Sequence, residues 1–229
     1  MADRPIIFSA RMVEALLVGQ KTQTRRIIKK PAALDALAVF APAWLMLPGN
    51  ADLLPCVDGD RLWVRETFAL ESDQLAGPYP APHDDGRPIF WIEGAEPGER
   101  YWLQPHYRAS DPDPDLCYAD AEGPSCRWKP SIHMPRWASR LTLTVRDVRV
   151  QRLHEISEAD AIAEGCPART SEAGKDPRGW FAGLWDTIHG AGAWIANPYV
   201  AAISFTVERR NIDAPADCRN PREAPDAPH

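Results

Sequence analysis

WASRLTLTVRDVRVQRL, residues 137–153, carries the clearest strand pattern in the chain and decides the fold class. Leu141, Leu143 and Val145 fall on one face, and the apolar set then resumes out of phase at Val148 and Val150. Side chains alternate with a period of two along a strand, so a change of phase predicts a bulge or turn inside it. A long strand interrupted in this way belongs in a curved sheet or small barrel. The reading is therefore an α+β protein built on a curved sheet or small barrel, with a proline-rich insertion.

Working outward, YVAAISFTVERR at 199–210 reads as the closing strand. Upstream, the turn signal Asp58-Gly59-Asp60 precedes RLWVRETF, in which Leu62, Val64 and Glu66 alternate with Trp63, Arg65 and Thr67 to give a strand with two unlike faces. Residues 21–28 suit an extended segment. Met12, Val13, Leu16 and Leu17 lie at helical spacing after Ser9, and Gly19 stands where a left-handed C-terminal turn would end that helix. Ser157-Glu158-Ala159-Asp160 has the N-cap pattern of a second short helix ending at Gly165. Trp180, Phe181, Leu184, Trp185 and Ile188 mark a third, whose aromatics read as core rather than as a ligand platform. Pro31, Pro42, Pro48 and Pro55 break any long element in residues 31–56. Residues 70–127 form an insertion with strands expected at 88–93 and 100–109. One domain spans residues 1–210, and 211–229, with almost nothing large to bury, reads as a disordered tail.

The chain has 229 residues, 45% of them hydrophobic, and a net charge of −6. No stretch approaches the roughly 18 apolar residues of a membrane span and no signal peptide is evident, so the expected location is the cytoplasm. The five cysteines (Cys56, Cys117, Cys126, Cys166 and Cys218) include no C-x-x-C pair and read as free thiols. Cys117, Cys126 and His133 match no common zinc spacing, so no metal is expected. The acidic balance argues against sequence-blind gripping of a long polyanion. Two basic clusters still allow local phosphate contacts: Arg25, Arg26, Lys29 and Lys30, and Arg127, Lys129, Arg136 and Arg140.

G-x-K-T-x-T-R at residues 19–25 puts Lys21, two hydroxyls and Arg25 just after a helix end, where side chains can converge. It is not a phosphate-binding P-loop, which opens a helix rather than following one. In a straight strand residues 21 and 24 point to opposite faces, so convergence of Lys21 with Thr24 requires a kink at the helix exit. Glu164, in the last turn of its helix, faces the negative end of the helix dipole, an unfavourable placement that a lysine partner would offset. Burial beside that partner would let the pair exchange a proton near neutral pH. WKPSIHMPRWASR at 128–140 is dense in hydrogen-bonding groups and stackable rings. Ser131 and His133 within it lack the Gly-x-Ser-x-Gly elbow of a serine hydrolase.

Taken together, the helix-G-x-K-T-x-T-R start, G-D-x-L-W-V-R-E at 59–66, the 128–140 segment, I-S-E-x-D-A-x-A-E-G at 156–165 and the closing strand resemble the ASCH family, in particular its longer phage-associated proteins. The resemblance covers about residues 4–67 and 128–208. It implies a PUA-like fold, a small curved β-barrel with flanking short helices, and a cleft for a nucleobase or nucleotide. Members include a compact bacterial amidohydrolase that deacetylates N4-acetylcytidine with a lysine, a threonine and a glutamate, which here correspond to Lys21, Thr24 and Glu164, with Glu66 as the alternative carboxylate. Arg25, Trp63, Arg65, Glu66, Ser131, His133 and Arg136 are the substrate-binding candidates within the matched segments. The implied activity is removal of an acyl group from the N4 amine of a cytosine nucleoside, with no cofactor. Two chemistries stay open: Thr24 as nucleophile with neutral Lys21 as base, or charged Lys21 at the oxyanion while Glu164 activates water. The competing expectations are an RNA-binding module without catalysis and a ribonuclease.

Overall fold

The longest ladder in the protein joins two strands, β7 (Thr142–Arg152) and β8 (Tyr199–Glu208), running antiparallel through the centre of a five-stranded sheet. This computed structural model describes residues 2–73, 90–93, 100–114, 128–167 and 176–214. The register of β7 against β8 shifts between Val145 and Asp147, so the phase change read from the sequence is a bulge at Arg146. It lets Leu143, Val145, Val148 and Val150 all turn into the core although their spacing breaks strict alternation.

The sheet order is β1-β3-β7-β8-β2, with β1 (Asp3–Ile7), β2 (Gln23–Ile27) and β3 (Arg61–Arg65). β1 pairs parallel with β3, while β3 with β7 and β2 with β8 are antiparallel. No backbone ladder joins the edge strands β1 and β2 among the described residues, so the expected barrel is not closed there. A side chain links them instead: Arg26 Nη2 donates to the Ile7 carbonyl at 2.7 Å, with its guanidinium 5.1 Å from the Phe8 ring centroid.

Three helices hold the site: α1 (Ala10–Leu17), α3 (Glu158–Ala163) and α4 (Pro177–His189). Ser157 caps α3 by accepting from the Asp160 amide, and Asp176 caps α4 ahead of Pro177. A further helix, α2 (Pro31–Val39), corrects the reading of residues 31–56 as merely broken chain. Pro31 occupies the first helical position, where its missing N–H costs nothing, so it starts a helix rather than preventing one. The later prolines open two short 3-10 turns, Pro42–Met46 and Pro48–Leu53.

Within the expected insertion, β4 (Phe68–Asp73), β5 (Phe90–Glu93) and β6 (Arg100–Tyr107) form a second, antiparallel sheet in the order β4-β6-β5. It is docked on the main body by Phe68, Tyr107, Met134 and Ala138, and the Tyr107 hydroxyl donates to the Ala138 carbonyl at 2.8 Å. The ordered chain also runs past residue 210. Ile212 is buried, and the Asn211 amide donates to the carbonyls of Arg136, Trp137 and Ser139, which places residues 211–214 in the folded body rather than in a tail. Residues 215–229 lie outside the described residues. None of the helices is long and apolar enough to cross a membrane, among the described residues.

Candidate active site

Two helix ends build the site. α1 closes with Gly19 at φ 73°, its amide donating to the Leu16 carbonyl while the Gln20 amide reaches back to Ala15. α3 closes the same way, with Gly165 at φ 100°, its amide donating to Ile162 and that of Cys166 to Ala161. Both are Schellman turns, which reverse the chain and need a left-handed residue at the glycine. The two turns abut: the Thr22 amide donates to the Ala163 carbonyl at 2.8 Å, and Lys21 forms an isolated antiparallel bridge with Glu164. Lys21 thus follows the reversal at Gly19 and precedes β2, within which Thr24 lies.

Lys21 has no exposed surface. Its Nζ donates to Glu164 Oε2 at 2.7 Å and to the Glu164 backbone carbonyl at 2.9 Å. Arg25 Nη1 donates to the other carboxylate oxygen, Oε1, at 3.1 Å and to Gln23 Oε1 at 2.6 Å. Each oxygen of Glu164 therefore has its own cation, which answers the dipole penalty at the end of α3. Burial lowers the Lys21 pKa from the ordinary lysine value. The Glu164 charge opposes that fall, and the charges of Arg26 and Arg25 add to it. Lys21 is held as a lysine that can give up its proton more readily than one in water.

Asp160 extends the network, accepting from Arg25 Nη2 at 2.9 Å and from Arg149 Nη2 at 2.8 Å. Burial pushes this carboxyl up, but the hydrogen bond from Arg149 and the charge of Arg25 outweigh it and hold the group at about 2. Because its folded value lies below the unfolded value near 3.9, Asp160 stabilises the fold above that pH. The contribution is lost as pH falls through about 2.

In front of this network lies a cavity of about 190 Å³. Thr24, Arg25, Arg26 and Glu164 form its polar wall, Ile7, Ser9 and Met12 a second side, and Phe181, Leu184, Trp185, Ile188 and His189 of α4 the third. Lys21 stands behind Glu164, not at the cavity surface. The α4 wall was not foreseen from the sequence, where these aromatics read as core. They do both: Phe181 and Trp185 pack with Leu153, Ile156 and Val200 and also line the cavity. The signal was the i, i+3, i+4, i+7 repeat Phe181, Leu184, Trp185 and Ile188, which fixes a face but not what lies opposite it.

Lys21, Thr24, Arg25 and Glu164 are thus brought together across some 140 residues of sequence. The other six candidates do not line the cavity. Trp63 and Arg65 lie on β3, which two strands, β7 and β8, separate from β2 in the sheet. The Arg65 guanidinium sits 5.4 Å from the Trp63 ring centroid. Glu66 is paired with Arg140, at 2.9 and 3.0 Å, so the carboxylate beside Lys21 is Glu164 and not Glu66. Ser131 and His133 lie on a short 3-10 turn in the segment that packs on the second sheet. Arg136 is tied to Asp3 and Asp213. Among the described residues no cluster of three His, Cys, Asp or Glu could hold a metal ion; Cys56 and Cys166 are free, and Cys117, Cys126 and Cys218 lie outside that set. No known family, characterised protein or solved structure matches the chain.

Gly165 fixes how close the two turns come. A Cβ there would stand 3.3 Å from Ala15 Cβ and 3.5 Å from Lys21 Cβ, at a backbone angle that L-residues avoid. Gly165→Ala is expected to destabilise the fold by at least about 1–2 kcal/mol and to move Glu164 away from Lys21. Thermal melting together with the kinetics below checks this. A variant with unchanged melting and unchanged turnover would show that the turn tolerates the methyl group.

Proposed function

We propose that the chain is a metal-independent amidohydrolase that removes the acyl group from the N4 amine of a cytosine nucleoside. In this reading it is a PUA-like protein of ASCH type whose curved sheet opens at the gap between β1 and β2. The observation that carries the proposal is the buried Lys21–Glu164 pair, whose carboxylate shares a cavity wall with Thr24. A cavity of about 190 Å³ is small beside the roughly 300–1,000 Å³ of sites for drug-sized ligands. It suits one flat base with a short acyl group, with the ribose at the mouth, and not a polymer. Its aromatic wall offers a face for the base.

The Thr24 hydroxyl attacks the acyl carbonyl carbon and its proton passes to the Lys21–Glu164 pair. Arg25, on the same wall, faces the charge that develops on the carbonyl oxygen. The C–N4 bond breaks as the pair returns the proton to the departing amine, which leaves as cytidine. Water then cleaves the threonine ester, releasing the carboxylate and restoring the hydroxyl.

The nucleic-acid reading has less support. Arg25 and Arg140 are buried against carboxylates, and Arg136 is held by Asp3 and Asp213. Cations spent internally release few counterions on meeting a phosphate backbone.

The test is turnover of a panel of N4-acylcytidines by the purified protein in the presence of a chelator, with Thr24→Ala in parallel. Release of cytidine by wild type and not by the variant is the expected result. No release from any acyl group would overturn the proposal. The pH profile is a second check. Proton uptake by Lys21 requires its neutral form, so kcat/KM should rise with pH to a plateau whose midpoint lies below the ordinary lysine value. Stability should move the same way: in that window the unfolded chain binds more protons than the folded one, so the fold gains stability as pH rises. A flat alkaline profile would remove Lys21 from the proton path.

A further inference from the structure

A second cavity, of about 340 Å³, lies against the first. Ile7 and Arg26 line both, so one guanidinium stands in the partition between them. Arg4 lines the second cavity as well, beside Ile6, Pro55, Cys56 and Leu62.

Two arginines, Arg4 and Arg26, line this second space, and one carboxylate, Asp60, pairs with the first of them. Arg26 donates through Nη2 to the Ile7 carbonyl, but its buried Nε has no hydrogen-bond partner. Arg4 forms an ion pair with Asp60, Nε to Oδ2 at 3.4 Å; its Nε is buried and makes no hydrogen bond, while the side chain as a whole is 42% exposed. Asp60 is already engaged, accepting from the amides of Ala2 and Val57. Cys56 supplies no negative charge, since burial, helped by Asp60, pushes its thiol up to about 12. Arg26, with an idle buried donor, and the partly exposed Arg4, whose one carboxylate is shared with two backbone amides, make a site for a compact oxyanion.

We propose that this cavity is a phosphate subsite of the same active site. The favoured substrate is then a cytosine nucleotide: the acylated base occupies the first cavity, the ribose crosses at Ile7, and a phosphate monoester meets Arg4 and Arg26. This rests on the amidohydrolase reading for the identity of the base, but not for the phosphate. Nothing in the arrangement selects the 5′ over the 3′ position, so the shared feature is the monoester.

The experiment measures kcat/KM for N4-acetylcytidine and for its 5′- and 3′-monophosphates with wild type, Arg4→Gln and Arg4→Lys. Wild type should favour one monophosphate over the nucleoside by about tenfold or more, chiefly through KM. Raising the salt should shrink that ratio. Arg4→Gln should bring the ratio towards one, and Arg4→Lys should retain part of it. Equal kcat/KM for nucleoside and both nucleotides, or a ratio untouched in Arg4→Gln, overturns the proposal. Calorimetric binding of cytidine and of its two monophosphates, on the same three proteins, separates this inference from the reaction. If no acylated compound turns over, tighter, Arg4-dependent binding of a monophosphate upholds the subsite while the amidohydrolase reading falls. Equal binding of cytidine and both monophosphates overturns the subsite.

Discussion

Lys21→Met is expected to lower kcat/KM on N4-acylcytidines by about 10²–10⁴-fold, the range seen when a positioned acid–base group is lost, while leaving the protein folded. Methionine has nearly the length of lysine and suits a position with no exposed surface. The carboxylate left behind is not stranded, because Arg25 still donates to Glu164 Oε1. The usual large cost of leaving a buried charge alone is therefore softened here. Removing a desolvated ammonium also relieves the strain that lowers its pKa. Melting and kinetics should consequently part company: a small change in melting temperature, a large loss of turnover. Full activity in Lys21→Met would remove the lysine from the mechanism, and wholesale unfolding would show its role to be structural.

Glu66→Ala should do the reverse. Glu66 and Arg140 form a bidentate pair with side chains 1% and 3% exposed, and the Arg140 guanidinium lies 4.0 Å from the Tyr107 ring centroid. Deleting the carboxylate removes the bidentate partner of a buried cation where the second sheet docks on the first. Breaking such a pair typically costs about 3–5 kcal/mol, which at this chain length is a fall in melting temperature of roughly 6–20 °C. Turnover per folded molecule should survive, since neither residue lines the cavity. Circular-dichroism melts set beside initial rates at low temperature would read both effects. A variant that melts like wild type but has lost activity would return Glu66 to the catalytic set.

These two glutamates show where sequence reading reaches its limit. The out-of-phase apolar run from Leu141 to Val150 announced a bulged strand because packing geometry depends on local spacing. Gly19 and Gly165 announced helix ends for the same reason, and the awkward charge at Glu164 pointed to a partner. Glu66 sits in an equally motif-like stretch, just past the end of β3, and nothing local distinguishes its partner, Arg140, from Lys21. That choice is made by strand order, which is non-local. β1 was missed on similar grounds: DRPII is five residues with a proline at its centre, and its pairing with β3 is parallel and 58 positions distant. Asn211 was assigned to a tail because composition sees no large side chain there, whereas its three hydrogen bonds need only one small amide.

Arg136, displaced from the substrate-binding list, has another importance. Its guanidinium holds Asp3 near one end of the described chain and Asp213 near the other, and Arg61 binds Asp3 together with the Ile212 carbonyl. Beginning and end of the described residues are thereby clasped at one point, at Asp3, the opposite end of β1 from the Ile7 that lines the cavity. The order of elements along the polypeptide can then be rotated without disturbing their places in space. A circular permutant that joins residue 214 to residue 2 through a short glycine–serine linker should fold and keep its melting transition, as proteins with adjacent ends commonly do. The cavity would sit in it unchanged, and new ends could be opened wherever a fused reporter is wanted.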